Sequence, residues 1–357
     1  MAETMTVFRH ILWATICLLG LATFSGCHLV DEDMSDCGTE LNVDYELQLV
    51  TNMRTEIQTV LDLQTEYQVA TILQDHLGEV FSDFAHDVDL SFYDTAEPWA
   101  RLEHIAVVMD ASESSYSLVL PGRSYMHTCV AYLDAEPFVV LEDDGHCNTA
   151  RLVQHPKVPG KDTVSAHTTG IFTARTRMDV ITGMEQQFDV ELYMVNAATA
   201  LILDLADAPD VKDLKVYLSG FADGFMLADS SFTFNSRQIV RTKMLPADPG
   251  STERCFTSIH FPSRDVKPGS KMVIDIPDPD GGVRSDEILW YWTVEALMAD
   301  GTVTRSILGS YTPLHAAQLK AVKGVVHADG GIGSNDHTVG ASVTLDWHEG
   351  MDISVSF

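Results

Sequence analysis

Short runs in which apolar and polar residues alternate recur along most of this chain. A period of two belongs to β-strands with one buried and one wet face. In the first half such runs appear at Leu41 to Val50, Val88 to Phe92, Arg101 to Met109, Tyr116 to Leu120 and Tyr125 to Leu133, separated by polar, Gly or Pro segments. In the second half further strand-like runs follow at Ile171 to Val180, along a long run from Gln187 to Leu205, and at Leu214 to Leu218, Cys255 to Phe261, Ile288 to Met298 and Thr302 to Ile307. Near the end, Ala341, Val343, Leu345 and Trp347 alternate with Ser342, Thr344 and Asp346, and Ile353, Val355 and Phe357 alternate with Ser354 and Ser356. So many short strands predict stacked β-sheets.

One segment breaks this period. Val69, Ile72, Leu73, Leu77, Val80, Phe81 and Phe84 recur at the three-and-four spacing of a helix face, with Gln74, Asp75, Glu79 and Asp83 opposite. The pattern predicts one amphipathic helix packed on a sheet. Between Gln154 and Asp162 the chain reads QHPKVPGKD, with no apolar periodicity on which to build an element. That stretch is the predicted domain boundary, separating residues 41–158 from 163–357.

The N-terminus carries an apolar run from Ile11 to Phe24, too short to span a bilayer as a helix. Arg9 precedes it and Ser25-Gly26 follow it, which is the layout of a secretory signal over residues 1–26. The ending Phe24-Ser25-Gly26-Cys27 resembles the lipobox of bacterial lipoproteins, in which the cysteine is acylated and becomes the mature N-terminus. Residues 27–40 then form a lipidated tether. Its acids Asp31, Glu32 and Asp33 resemble the surface-export signal of Bacteroidetes lipoproteins, so outer-membrane anchoring through Cys27 and display at the cell surface are expected.

The formal net charge is −30. A surface this acidic repels phosphate backbones, which argues against nucleic acid as a partner. Of six cysteines, Cys17 leaves with the signal and Cys27 takes lipid. Cys37, Cys129, Cys147 and Cys255 remain in an oxidising compartment, where they form structural bridges or stay as buried thiols; spacing does not choose a pairing. The absence of Cys-x-x-Cys removes the usual signal for a zinc ribbon or a thioredoxin-like centre.

Asp110-x-Ser112-x-Ser114 follows an apolar strand and resembles the metal-ion-dependent adhesion site of von Willebrand A domains, whose hard oxygens hold Mg²⁺. That site needs a following helix. Here Tyr116, Leu118 and Leu120 alternate instead, so a polar hairpin turn is the expected reading. The Asp- and Gly-rich stretches starting at Asp278 and Asp329 lack the closing Glu of an EF-hand and read as turns. Glu142-Asp143-Asp144 reads as a solvated loop. Neither His-Glu-x-x-His nor Gly-x-Ser-x-Gly occurs in the chain, and no acid, base or nucleophile cluster emerges, so neither catalysis nor a cofactor is expected.

Three segments carry a family resemblance. They are the acidic tether with Cys37 just ahead of the strand Leu41-Asn-Val-Asp-Tyr-Glu-Leu-Gln-Leu-Val-Thr-Asn-Met53, then Phe188-Asp-Val-Glu-Leu-Tyr-Met-Val-Asn196, then Val343-Thr-Leu-Asp-Trp347. Together they resemble the FimB-type fimbrial anchor and minor-subunit family of Bacteroidetes type V pili. The resemblance implies a mainly β chain of two tandem transthyretin-like β-sandwich domains, placed at the cell-proximal end of a fimbria. It also implies fimbrial subunits as partners through donor-strand exchange. Stalk subunits of that family lose their first strand to a trypsin-like protease. No Lys or Arg lies between Cys27 and Arg54, so a clip ahead of the first strand is not available, and Arg54 is the possible protease site. A retained tether makes the chain an anchor, whereas cleavage at Arg54 makes it a polymerising stalk or tip subunit. A surface adhesin binding host glycan or protein would share the tether and the sandwiches.

Overall fold

The structure is a computed structural model that describes residues 38–47, 72, 75–77, 87–108, 115–132, 138–155, 163–236, 238–247, 249–265, 288–334 and 339–345. The chain is mainly β, as its alternation predicts. A seven-stranded sheet runs in the order Arg101–Val108, Asp87–Asp94, Ser124–Tyr132, Phe172–Asp179, Gln186–Met194, Gly38–Leu47, Ser115–Pro121. A four-stranded sheet, Ser231–Thr233, Gly224–Met226, Arg151–Gln154 and Val139–Glu142, packs with it through Tyr93, Val130, Leu152 and Phe225.

The remaining strands form two further sheets. One has five strands, Lys243–Met244, Glu253–His260, Ala197–Asp204, Leu319–Val326 and Ile332–Ser334. The other has six, Val339–Leu345, Val303–Ser310, Trp290–Met298, Val211–Ser219, Ile239–Arg241 and Thr163–Ser165. Strand Ala197–Asp204 shows why the run that contains it is apolar without alternation. Its positions 198, 200 and 202 join a core with Leu41, Leu90 and Phe92 of the seven-stranded sheet, while Ala197, Leu201 and Leu203 join another with Leu218, Trp292 and Val294 of the six-stranded sheet. A strand covered on both faces has no wet side to mark with polar residues.

The domain boundary expected at 158–163 is not where the sheets part. Phe172–Asp179 and Gln186–Met194, expected in the second domain, lie inside the seven-stranded sheet. Conversely, Arg151–Gln154 of the expected first domain pairs with Gly224–Met226 of the second. The chain leaves the seven-stranded sheet at Val195 and Asn196, within what reads in the sequence as one run from Gln187 to Leu205. Alternation identifies a strand, but the partner that it pairs with is a long-range fact that alternation does not carry.

The amphipathic segment is helical at Ile72 and at Asp75, His76 and Leu77. Leu77 is fully buried and Ile72 packs against the same core, while Asp75 is exposed, as the helical spacing predicts. The closing strand expected at Ile353 to Phe357 lies outside the described residues, as does Trp347.

Candidate functional site

The first described strand follows directly on the segment expected to be a tether, so its seating is the first question to ask of the site. Gly38–Leu47 is an interior strand, parallel to Gln186–Met194 on one side and antiparallel to Ser115–Pro121 on the other. Leu41 and Val43 are fully buried among Leu118, Leu120, Val190 and Leu192. The intervening residues face out and are cross-linked by side chains: Ser117 donates to Asn42 at 2.6 Å, and both Ser115 and Gln187 donate to Asp44. Both ladders are closed by residues far away in sequence. Removing this strand would strip Ser115–Pro121 of its only strand partner among the described residues and leave the parallel edge of Gln186–Met194 unpaired.

Open edges lie elsewhere. Among the described residues, Val339–Leu345 pairs only with Val303–Ser310, in register from Val303↔Leu345 to Gly309↔Val339. On its other side no strand pairs with it among the described residues, which makes it the margin of the six-stranded sheet as described. A sheet margin that presents unpaired main-chain N–H and C=O groups is a template for an added strand.

The Glu142-Asp143-Asp144 run is not the solvated loop that its charge predicts. Asp143 accepts from the Tyr93 hydroxyl at 2.6 Å, from Arg101 at 2.8 Å and from the Gly145 backbone N–H at 2.7 Å. Burial and this carboxylate together push the Tyr93 hydroxyl well above its ordinary pKa. Glu142 holds Arg151 through two contacts of 2.7 and 2.9 Å. These acids face a cleft of about 570 Å³, but most of their charge is answered from within the fold. The loop starting at Asp329 is a turn, with Gly331 N–H bonded to the Asp329 carboxylate at 2.9 Å and Gly330 at φ +80°.

Cys129, Cys147 and Cys255 are buried with free thiols. Burial raises all three thiol pKa values, that of Cys255 to about 12. Cys27, Cys37, Arg54, Asp110, Ser112, Ser114 and the loop starting at Asp278 lie outside the described residues. Among the described residues, no three His, Cys, Asp or Glu side chains come together as a metal site, and no helix is long and apolar enough to cross a membrane.

Sequence reasoning missed a polar junction where the chain passes between sheets. Asn196 is fully buried: its Oδ1 accepts the Ile171 N–H, its amide nitrogen meets His167 Nδ1 at 2.6 Å, and its carbonyl accepts Ala317 N–H at 2.7 Å. His260, also fully buried, contacts Thr199 at 3.3 Å and the Phe261 carbonyl at 2.7 Å. Burial lowers the pKa of His167 to about 3 and that of His260 to about 4, so both rings are neutral near pH 7. A polar residue inside an otherwise apolar run, Asn196 after Met194-Val195, was the available signal.

The fold resembles known ones. A candidate adhesin from Bacteroides ovatus is similar with a TM-score of 0.51 at 10% identity, covering 86% of this chain and 95% of that one. A candidate polysaccharide-binding protein from Bacteroides thetaiotaomicron matches with a TM-score of 0.49 at 9% identity, covering 84% and 98%. The fimbrial anchor protein Mfa2 from Porphyromonas gingivalis matches with a TM-score of 0.43 at 8% identity, covering 82% and 91%. At these identities the likeness concerns the fold, and of these three the Bacteroides ovatus structure is the one that bears on it. Neither protein-family models nor curated protein sequences yield a match.

Proposed function

We propose that the chain is a structural subunit of a fimbria, the lipid-anchored base that holds the fimbria to the outer membrane and accepts a donor strand from the next subunit. The observation that carries this reading is the seating of the first strand. Paired on both sides and buried through Leu41 and Val43, it is built to stay, and whatever precedes it stays attached. A tether acylated at Cys27 then becomes a permanent anchor, because each buried CH₂ of the acyl chains adds about 0.8 kcal/mol. Loss of the strand at Arg54, as in a polymerising stalk or tip subunit, would open the sheet between Ser115–Pro121 and Gln186–Met194. Val339–Leu345, which has one strand partner among the described residues, is the candidate acceptor for an incoming strand.

A surface-anchored adhesin is the second reading, favoured by the description of the Bacteroides ovatus structure as a candidate adhesin. One experiment separates a base from both alternatives. Cys27→Ala should move the protein from the membrane fraction to the soluble one and release fimbriae into the medium. Fimbriae that stay on cells carrying the variant would contradict the base assignment.

A further inference from the structure

A second cleft, of about 320 Å³, opens where the short strands Thr163–Ser165 and Ile239–Arg241 end beside the margin of the five-stranded sheet. It is lined by His167, Arg241, Lys243, Thr257 and, from the helix, His76. In a chain of net charge −30, no Asp or Glu is among the described residues that line it. Arg241 and Lys243 are exposed and form no ion pair among the described residues.

Three of the lining residues, Thr257, Ser258 and His167, have a buried side-chain atom with no hydrogen-bond partner. Thr257 is 1% exposed and its hydroxyl is unpaired. It stands directly across the antiparallel ladder from Lys243, which puts the two side chains on one face. Ser258, which also lines the cleft, alternates to the opposite face of its strand from Thr257 and Lys243. His167 is 3% exposed, and its Nε2 is unpaired. The state of that nitrogen follows from its neighbours. Asn196 Oδ1 is taken by the Ile171 N–H, so the Asn196 amide nitrogen faces His167 and donates to Nδ1. A neutral imidazole that accepts at Nδ1 carries its proton on Nε2. The wall therefore offers an unused N–H, an unused O–H and two cations. Native folds rarely leave buried donors unpaired without a reason.

We propose that this cleft binds an oxyanion, a carboxylate, sulfate or phosphate group on a molecule of about one sugar residue in size, with His167 Nε2–H and the Thr257 hydroxyl as donors and Lys243 and Arg241 supplying charge. The cleft lies at the small end of ligand pockets, which run from roughly 300 to 1,000 Å³. The inference is independent of the fimbrial reading, since it rests on a different margin of the fold.

The test is calorimetric titration of the full mature chain, with Cys27→Ala for solubility, in low-chloride buffer. Glucuronate and sulfate are the probes, and glucose is the neutral control. Saturable binding of at least one anion and none of glucose is expected. Glucuronate tighter than sulfate assigns a sugar-borne carboxylate, and the reverse or equal order assigns a free oxyanion. Lys243→Gln and Thr257→Val should each weaken binding by about tenfold, the loss expected for a contact with a charged group. Thr257→Val also removes an unpaired buried hydroxyl, so it should leave the melting temperature of the free protein unchanged or higher. A merely structural threonine would show the stability change without the affinity change. No saturable binding of either anion, or binding that both variants leave intact as for an adventitious ion only, would overturn the assignment.

Discussion

Asn196 is where one side chain decides how two sheets are joined. Its three hydrogen bonds tie Ile171, His167 and Ala317 to the point at which the chain changes sheets. Asn196→Ala leaves a buried N–H and a buried ring nitrogen unpaired, each at a cost of about 1–3 kcal/mol, so the urea midpoint should fall with little change in slope. The buried histidines make a related prediction. His127, stacked on Phe92 with ring centroids 4.4 Å apart, has its pKa lowered by burial to about 4, as does His260, and His167 reaches about 3. In the unfolded chain these rings take up protons near pH 6.5, whereas in the folded chain they do so only near pH 3–4. Stability is therefore full above about pH 6.5 and falls as the pH drops through that window, by up to roughly 1 kcal/mol per pH unit for each ring. Imidazole NMR signals of three histidines should stay fixed from pH 7 to pH 5, and titration of every histidine near pH 6.5 would contradict the burial.

The first strand is the element whose seating was most legible in the sequence. Leu41 and Val43 alternate with Asn42 and Asp44, and burial follows that alternation residue by residue. Leu41→Ala should cost about 2–5 kcal/mol, the range for a large buried aliphatic. Asn42→Ala, on the wet face, should cost about 1 kcal/mol or less, because it loses only a cross-strand contact with Ser117. Thermal unfolding of the two variants checks the contrast, and equal losses would mean that the strand has no buried face. The helix at Asp75 to Leu77 was legible for the same reason, a local period written in side-chain polarity. What was not legible depends on pairing. The strands Phe172–Asp179 and Gln186–Met194 carry nothing local that assigns them to the seven-stranded sheet, and the Pro- and Gly-containing sequence at 156–160 looked more like a boundary than the buried crossing at Val195 and Asn196. The acids at Glu142 to Asp144 misled for the same reason, since Tyr93 and Arg101, which answer Asp143, are distant in sequence. The cleft at His167 and Thr257 was invisible, because it is assembled from segments about 90 residues apart whose own sequences read as ordinary strand ends.

Taken as a whole molecule, the chain joins a strongly acidic composition, a sheet closed around its own first strand and a second sheet whose late margin has no further strand among the described residues. An anchor needs this polarity. The tethered end must be locked, since the pull on a fimbria passes through it, and the accepting edge must be free. The two ends of the described chain meet these needs separately, Gly38–Leu47 being interior to one sheet and Val339–Leu345 being at the margin of another. The fate of the first strand decides between an anchor and a polymerising subunit, and the mass of the protein taken from assembled fimbriae reads it directly. A mature N-terminus at acylated Cys27, with residues 38–47 still covalently joined to the rest, is the predicted result. A mature N-terminus at Thr55 would contradict it.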